Sequence, residues 1–216
     1  MRDESTGDFV PSGSFELAEL GDVRNLAGPE FEAASDAAEV TEFWRPEDAH
    51  WDPNDPNVLY FVTTANFDGP SRLWRLTFED ASQPGRGGTI EAVLDGDEGQ
   101  HMLDNLVVDG RSRALIQEDP GNQEYLAKIR KYFPAQDRLT TVAQHDPDRF
   151  LPGAAEFLTT DEESSGIIDL ADILGEGWYL GDVQAHYPIP GELVEGGQLF
   201  ALYVPSARTF GNGQSK

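Results

Sequence analysis

The chain has 216 residues, and its 40 Asp and Glu against 15 Lys and Arg give a formal net charge of −25. So acidic a surface repels nucleic acid and anionic membranes, because binding to either needs cationic side chains. The absence of Cys excludes disulfides and thiolate metal sites. Solubility explains most of the acids, but not those embedded in hydrophobic strand sequence, where carboxylates collect hard cations such as Ca²⁺.

Three segments are predicted along the chain. Residues 1–41 are a poorly defined acidic segment in which the alanine-rich stretch Glu30–Glu39 favours a short helix, residues 42–205 are the main folded portion, and residues 206–216 are a flexible tail. In the main portion, runs of β-branched and aromatic residues alternate with clusters of Asp, Asn, Pro and Gly, which is typical of strands joined by turns. The predicted strands are Val58–Thr64, Arg72–Phe78, Ile90–Leu94, Asn105–Val108, Ala114–Gln117, Ala127–Tyr132, Leu139–Val142, Phe157–Thr160, Trp178–Val183 and Gln198–Val204.

Many short strands without long helices predict an all-β fold. A loose unit of an acidic motif, a strand, a turn and a second strand recurs at Arg45–Asp48, Asp104–Leu106 and Asp161–Ser165. Such spacing, about 40–50 residues, is expected of β-propeller blades, although a sandwich would have a similar pattern. About three blades fit into residues 42–205, fewer than the roughly four that a closed ring needs. We therefore expect a partial propeller of short-strand antiparallel sheets, either incomplete or closed by another chain.

The inner strands of propeller blades line a central channel, and carboxylates that converge there are costly unless a cation compensates them. Arg45 and Glu47 lie two residues apart, so an extended backbone puts both on one face. The pair suggests a metal ligand, Glu47, beside an arginine that binds phosphate through its two-pronged guanidinium. A plain structural ion pair has the same pattern and is the commoner case.

Four further acids and one His are candidates. Asp104 precedes one strand while Glu118 and Asp119 end the next, so a hairpin would bring their oxygens to one end of a sheet; turn-capping roles are the alternative. Glu163 could ligate a metal, or its acidic run could cap a following helix. His186, at a strand end, could ligate a metal or protonate a leaving group, although a lone His is more often structural.

Several ordered motifs together resemble the PhoX-type alkaline phosphatases, in particular their uncharacterised relatives, over nearly all of the chain after Glu42. The motifs are Arg45-Pro-Glu-Asp48, Tyr60-Phe-Val-Thr-Thr64, Gly69-Pro-Ser-Arg-Leu-Trp-Arg75, Asp104-Asn-Leu106, Gln117-Glu-Asp-Pro-Gly-Asn122, Asp161-Glu-Glu-Ser-Ser-Gly166, Asp182-Val-Gln-Ala-His186 and Gly196-Gly-Gln198.

This resemblance implies a β-propeller that holds a calcium–iron cluster in its channel and hydrolyses phosphomonoesters, usually as an exported protein. By motif, the phosphate-binding arginine is Arg45 and the metal ligands are Glu47, Asp104 and either Glu118 or Asp119. The resemblance also implies that Glu163 and His186 are site residues. The implied cofactors are Ca²⁺ and Fe³⁺, and the implied substrate is a phosphate ester.

The chain departs from the family in two ways. It has neither the N-terminal half that carries further ligands nor the iron-binding cysteine of that half, and Met1–Thr6 has no signal-peptide core. We therefore expect the cluster to need a missing N-terminal half or a second chain, which could also carry the export signal; otherwise the chain is cytoplasmic. A non-catalytic calcium-binding propeller scaffold and a calcium-dependent lactonase-type propeller are the alternative functions.

Overall fold

The computed structural model describes residues 10–191 and 194–205, so the predicted tail 206–216 lies outside the described residues. In these residues twelve strands and three short α-helices are found, besides two single 3₁₀ turns. The strands are β1 (Ser12–Phe15), β2 (Pro46–Trp51), β3 (Val58–Thr63), β4 (Arg72–Phe78), β5 (Gly88–Leu94), β6 (Leu103–Val108), β7 (Ala114–Glu118), β8 (Lys128–Phe133), β9 (Arg138–Gln144), β10 (Glu162–Asp169), β11 (Trp178–Pro188) and β12 (Glu195–Tyr203). The helices are α1 (Gly28–Ala37), α2 (Pro147–Phe150) and α3 (Ala171–Leu174).

The strands form three antiparallel sheets, which confirms the all-β prediction. The first sheet has the order β1-β5-β4-β3-β2, the second β6-β7-β8-β9 and the third β10-β11-β12. Strands adjacent in each sheet are also consecutive in the chain, except that β1 pairs with the far edge of β5. No helix in the described ranges is long and apolar enough to cross a membrane.

The second sheet lies between the other two and is apolar on both faces. Alternate residues of β7 point to opposite sides: Ala114 and Ile116 belong to the core shared with the first sheet, and Leu115 to the core shared with the third. Every residue of β7 is buried as a result. This two-sided burial explains why β7 is a nearly continuous hydrophobic run instead of an alternating one.

Leaving aside β1, the first strands of the three sheets are β2, β6 and β10, and they lie beside one another. Each is the edge strand of its sheet, and β6 packs against both β2 and β10. Side chains link them: Asp48 Oδ2 accepts the Leu106 N–H at 2.9 Å, and Asn105 Oδ1 accepts the Gly166 N–H at 3.0 Å. The described residues thus form a row of three sheets with adjoining first strands, and the propeller remains a prediction.

Each first strand also contains a bulge. The register of β2 shifts between Pro46 and Ala49, that of β6 between Leu103 and Leu106, and that of β10 between Ser165 and Ile167. A bulge places two residues opposite one on the partner strand and turns the side chains at that point. The acids of β2 and β6 occupy these bulges, so local irregularity positions them.

Two sequence expectations about elements need adjustment, and a third is confirmed. The predicted strand Phe157–Thr160 is irregular chain, because the Leu158 N–H bonds to the carbonyl of Arg149 beside α2 instead of to a sheet. The acidic run beginning at Asp161 enters strand β10 instead of capping a helix. The short helix expected near Glu30–Glu39 is present as α1, and β1 in the same N-terminal segment joins the first sheet.

Candidate metal and phosphate site

Six of the seven predicted site residues lie in one electrostatically coupled group. They come from the starts of the three first strands and from the ends of two second strands. The members are Arg45, Glu47, Asp104, Asp119, Glu163 and His186. Residues far apart in the sequence are therefore brought to one end of the row of sheets, and their role as a metal and phosphate site stays a prediction.

Arg45 and Glu47 form the most exposed part of this group. The Arg45 guanidinium donates to Glu47 Oε1 at 3.4 Å, with 48% and 32% of the two side chains exposed. Arg45 has a φ of 57°, in the left-handed region, while its carbonyl accepts the Thr64 N–H. A non-glycine residue in that region is strained, and such strain concentrates at functional sites. A partly solvated pair of this kind contributes little to stability and leaves the guanidinium accessible.

Asp104 is the half-buried carboxylate at the centre of the group. Burial, the largest cause, acts together with the nearby charges of Glu47 and Asp119 to raise its pKa to about 6, and Arg45 opposes them. Crowded like charges and desolvation both disfavour the ionised form. A multivalent cation would reverse that penalty, because it compensates all of these oxygens at once.

Glu163 lies on the third sheet and faces the acids of the second. Burial is the largest cause that raises the pKa of Glu163 to about 7, and Asp119 contributes to this value through its charge and through a hydrogen bond between the two carboxyl groups. The Nδ1 of His186, next to Glu163 in space, lies 3.1 Å from Glu195 Oε2. Without a cation, burial and the neighbouring Asp119 therefore favour the protonated form of Glu163.

Asp119 combines the two roles that the sequence left open. Its Oδ1 accepts the Gly121 N–H at 2.9 Å, which is the turn-forming contact. Its carboxyl group also reaches Glu163 and raises the pKa of Asp104. The turn holds the carboxylate in position beside the other acids.

Glu118 lies apart from the group. Its side chain is 0% exposed, and its two oxygens accept from Arg130 Nε at 2.9 Å, the Lys128 N–H at 3.0 Å, the His101 N–H at 3.1 Å and the Tyr125 hydroxyl at 3.2 Å. These donors use the lone pairs that a metal would need. The structure places this predicted ligand in a protein-internal network on the first-sheet side of β7.

The spacing of the acids bears on how a cation would be held. Among the described residues, the group of three acids whose ligand atoms all lie within 4.8 Å of one another is the exposed trio Glu32, Asp36 and Glu42 near α1. Asp104, Asp119 and Glu163 are more widely spaced. Their donor chemistry, oxygens only, fits hard cations such as Ca²⁺, whose coordination is commonly completed by water.

Asp48 and Asn105 were missed as positioning residues. Each follows a predicted site acid directly and links its strand to the next sheet. The sequence signal was present in the doublets Glu47-Asp48 and Asp104-Asn105, where two polar residues open an otherwise apolar strand. In each doublet one residue faces the site and the other ties two sheets together.

A search of solved structures returned PhoX of Pseudomonas fluorescens in complex with vanadate, a transition state analogue. The similarity has a TM-score of 0.54 at 15% sequence identity and covers 81% of this chain and 36% of that chain. No protein-family model and no curated protein matches the chain. At this identity the likeness shows a PhoX-like fold, and the chain spans about 36% of the length of that neighbour.

The raised pKa values predict how the metal-free protein responds to pH. Asp104 and Glu163 have folded pKa values of about 6 and about 7, above their usual 3.8 and 4.5, so between these limits the folded state binds more protons than the unfolded state. Stability should therefore decrease as the pH rises from about 5 to about 8. The melting temperature, measured in a chelator across this pH range, tests the expected decrease in stability.

Glu163→Gln should flatten that pH dependence, because the amide carries no charge at any of these pH values. Added Ca²⁺ should restore part of the stability lost at the alkaline end. A melting temperature that stays constant or increases with pH would contradict the crowding of these carboxylates.

Proposed function

We propose that the chain is a portion of a metal-dependent phosphatase of the PhoX type, which hydrolyses phosphomonoesters. The observation that carries the proposal is the convergence of Arg45 with the carboxylates of Glu47, Asp104, Asp119 and Glu163 from three different sheets. The likeness to a PhoX fold solved with vanadate supports it, because vanadate imitates the geometry of a phosphoryl group in transfer.

Each side chain of the group has a role in this proposal. Arg45 binds two phosphoryl oxygens and stabilises the charge that develops on them. Asp104, Asp119, Glu163 and Glu47 hold the cations, Ca²⁺ and, by family resemblance, Fe³⁺. Bound cations of this kind polarise a phosphoryl oxygen and supply an activated oxygen nucleophile. His186, at the rim of the group, donates a proton to the leaving alkoxide.

A further part of the propeller completes the site in this proposal. Three sheets with adjoining first strands support this part of the proposal, because consecutive blades would adjoin in the same way, and the solved PhoX chain is longer than the part matched here. The missing N-terminal half, on the same polypeptide or on a second chain, would supply the remaining ligands. By family resemblance the complete protein is exported.

The assay that tests this function combines binding with turnover. The chain should bind Ca²⁺, and vanadate should bind only after Ca²⁺ is present. Hydrolysis of p-nitrophenyl phosphate by the chain alone should be weak or absent. Calorimetric titration measures the binding of Ca²⁺ and of vanadate, and absorbance at the nitrophenolate band measures the hydrolysis. Robust hydrolysis in a chelator, or vanadate binding that ignores Ca²⁺, would contradict the mechanism.

A substitution at Arg45 tests phosphate binding separately from the backbone strain at this residue. Arg45→Gly relieves the left-handed backbone, so the variant should be at least as stable as the parent while losing vanadate binding by tenfold or more, roughly the loss of one charge-assisted contact. Arg86→Gln is the matched control, since Arg86 is an exposed arginine paired with Glu79 on the first sheet. If both variants bind vanadate like the parent, Arg45 is a structural ion pair only.

The open, partly solvated position of the group favours one alternative, a calcium-binding scaffold without catalysis. In that case Glu47→Ala would lower the calcium-dependent melting temperature and no ester would be hydrolysed. A calcium-dependent lactonase is the second alternative, because its oxygen-lined channel would look alike. Parallel assays with a lactone and a phosphate ester separate the two hydrolases.

A further inference from the structure

Two neighbouring acids of β10 point to opposite sides of the third sheet. Glu163 faces the group described above, whereas Glu162 faces the second sheet and is only 1% exposed. One oxygen of Glu162, Oε1, accepts the Ala127 N–H at 3.0 Å. The other, Oε2, has no hydrogen-bond partner among the described residues. A buried carboxylate oxygen left in this state is among the most costly groups in a protein interior.

Two more polar side chains without partners lie in the same interface. Gln117, at 0% exposure, makes no hydrogen bond through either amide atom, and the Ser164 hydroxyl, at 2% exposure, makes none either. Ser164 is two residues from Glu162 and so shares its face of β10. Buried polar groups are almost always hydrogen-bonded, so three such residues in one place indicate a partner that the polypeptide does not supply.

The topology brings these three residues together. Gln117 lies on β7, which packs against β10, and its register partner is Ile129 on β8. Ile129 follows Ala127, the residue that donates its N–H to Glu162, by two positions. Glu162, Gln117 and Ser164 therefore meet at the end of β7 and β8 where the chain enters β10. We refer to these three residues as the inter-sheet oxygen cluster.

The other end of the same interface provides a contrast. There Lys131 Nζ lies 3.2 Å from Asp109 Oδ2 and 3.0 Å from the Tyr179 hydroxyl, so the buried charge is fully paired. Lys128 interacts electrostatically with Glu162 but forms no ion pair with it. Its ammonium group donates to the carbonyl of Leu126 and lies over the ring of Tyr125. The inter-sheet oxygen cluster thus has a carboxylate but no bound cationic side chain.

One member of the inter-sheet oxygen cluster, Ser164, borders a cavity. This cavity of about 520 Å³ between the second and third sheets is lined by Ser164, with Ile129 and Ala143 on one wall and Val183 and Ala185 on the other. The cavity therefore brings a small solute next to the Ser164 side of the cluster, while Glu162 and Gln117 lie behind its lining.

We propose that the inter-sheet oxygen cluster binds one monovalent alkali cation, Na⁺ or K⁺. Glu162 Oε2, Gln117 Oε1 and Ser164 Oγ supply three oxygens with a single negative charge among them. A monovalent cation neutralises that charge, whereas a divalent cation would leave a net positive charge buried between apolar sheets. The cation ties the second sheet to the third. This site is separate from the proposed phosphatase site, because Glu162 and Glu163 lie on opposite faces of β10.

The test compares melting temperatures of the full chain in a divalent-cation chelator, in NaCl, KCl and tetramethylammonium chloride at equal ionic strength. Tetramethylammonium is too large to enter the cluster and controls for general screening. The parent should melt roughly 3–6 °C higher in Na⁺ or K⁺, the shift expected when the ion is about tenfold above its dissociation constant. The better of the two salts identifies the ion.

Glu162→Gln should abolish the difference between salts, and Glu156→Gln, a control at an exposed acid outside both sites, should keep it. Equal melting temperatures of the parent in all three salts would overturn the proposal and leave buried water or a proton as the partner. Should Glu162→Gln fail to fold, crystals of the parent grown in rubidium chloride provide the second measurement. An anomalous peak beside Glu162 and Ser164 supports the site, and none there refutes it.

Discussion

Replacing Asp109 with alanine should destabilise the protein by about 3–5 kcal/mol, the cost of breaking a buried ion pair by removing one partner. Asp109 Oδ2 receives the Tyr179 hydroxyl at 2.8 Å and lies 2.8 Å from Arg113 and 3.2 Å from Lys131. Its removal leaves Lys131, at 1% exposure, without a counter-charge between the second and third sheets. Urea unfolding followed by tryptophan fluorescence measures the loss.

The pH dependence of the parent provides a second readout of Asp109. Burial alone would raise its pKa, but the hydrogen bonds from Arg113 and Tyr179 outweigh burial and hold the pKa below the usual 3.8. A depressed acid pKa contributes stability above the unfolded value, and the contribution disappears as the pH falls through the folded value. The parent should therefore lose this contribution only below about pH 4, and Asp109→Ala should lack it throughout.

Asp97→Ala is the control for both measurements, because Asp97 is an exposed turn residue. It should change the unfolding free energy by no more than about 0.5 kcal/mol, as surface substitutions usually do. If Asp109→Ala were as stable as this control, the inter-sheet charge network would have no energetic role.

Replacing Glu118 with alanine should lower the free energy of unfolding by a similar amount, about 3–5 kcal/mol. The change leaves the Arg130 guanidinium without its carboxylate and the backbone N–H groups of His101 and Lys128 without an acceptor. Each buried donor without a partner adds to the cost. The same urea titration measures this variant, in chelator and in Ca²⁺.

Calcium binding distinguishes the two roles of Glu118. If its oxygens serve the internal network, Glu118→Gln should bind Ca²⁺ within about threefold of the parent, although it is less stable. Asp104→Asn, at the centre of the candidate site, should lose tenfold or more, about 1.4 kcal/mol of binding free energy. A calcium affinity lost in Glu118→Gln and retained in Asp104→Asn would instead place the ligand at Glu118.

Much of the candidate site follows from the sequence because hairpins have simple geometry. A strand that begins with Asp104 and a following strand that ends with Glu118 and Asp119 must bring these acids to one end of a sheet, and β6 and β7 do so. The sequence does not separate Glu118 from Asp119. Alternation along β7 points Glu118 towards Arg130, and the turn after it redirects Asp119.

Two of the strands that carry the site, β2 and β10, are absent from the strands predicted from the sequence. Neither Pro46–Trp51 nor Glu162–Asp169 has the apolar alternation of a strand, because several of their side chains face the site or tie neighbouring sheets together instead of filling a core. By contrast β3, β4 and β7 were predicted nearly to the residue. Their side chains pack in the cores, so hydrophobic pattern alone identifies them.

The bulges in the three first strands have a consequence for how such a site can change over evolutionary time. The acids of β2 and β6 are directed by the bulge of their own strand, and Glu163 by the regular pairing of β10 with β11, so no single loop holds the whole set. One acid can be exchanged while the others keep their orientation, and ligands can be gained or lost singly. Variation among descendants of one ancestral site should therefore proceed sheet by sheet, with intermediates that still fold.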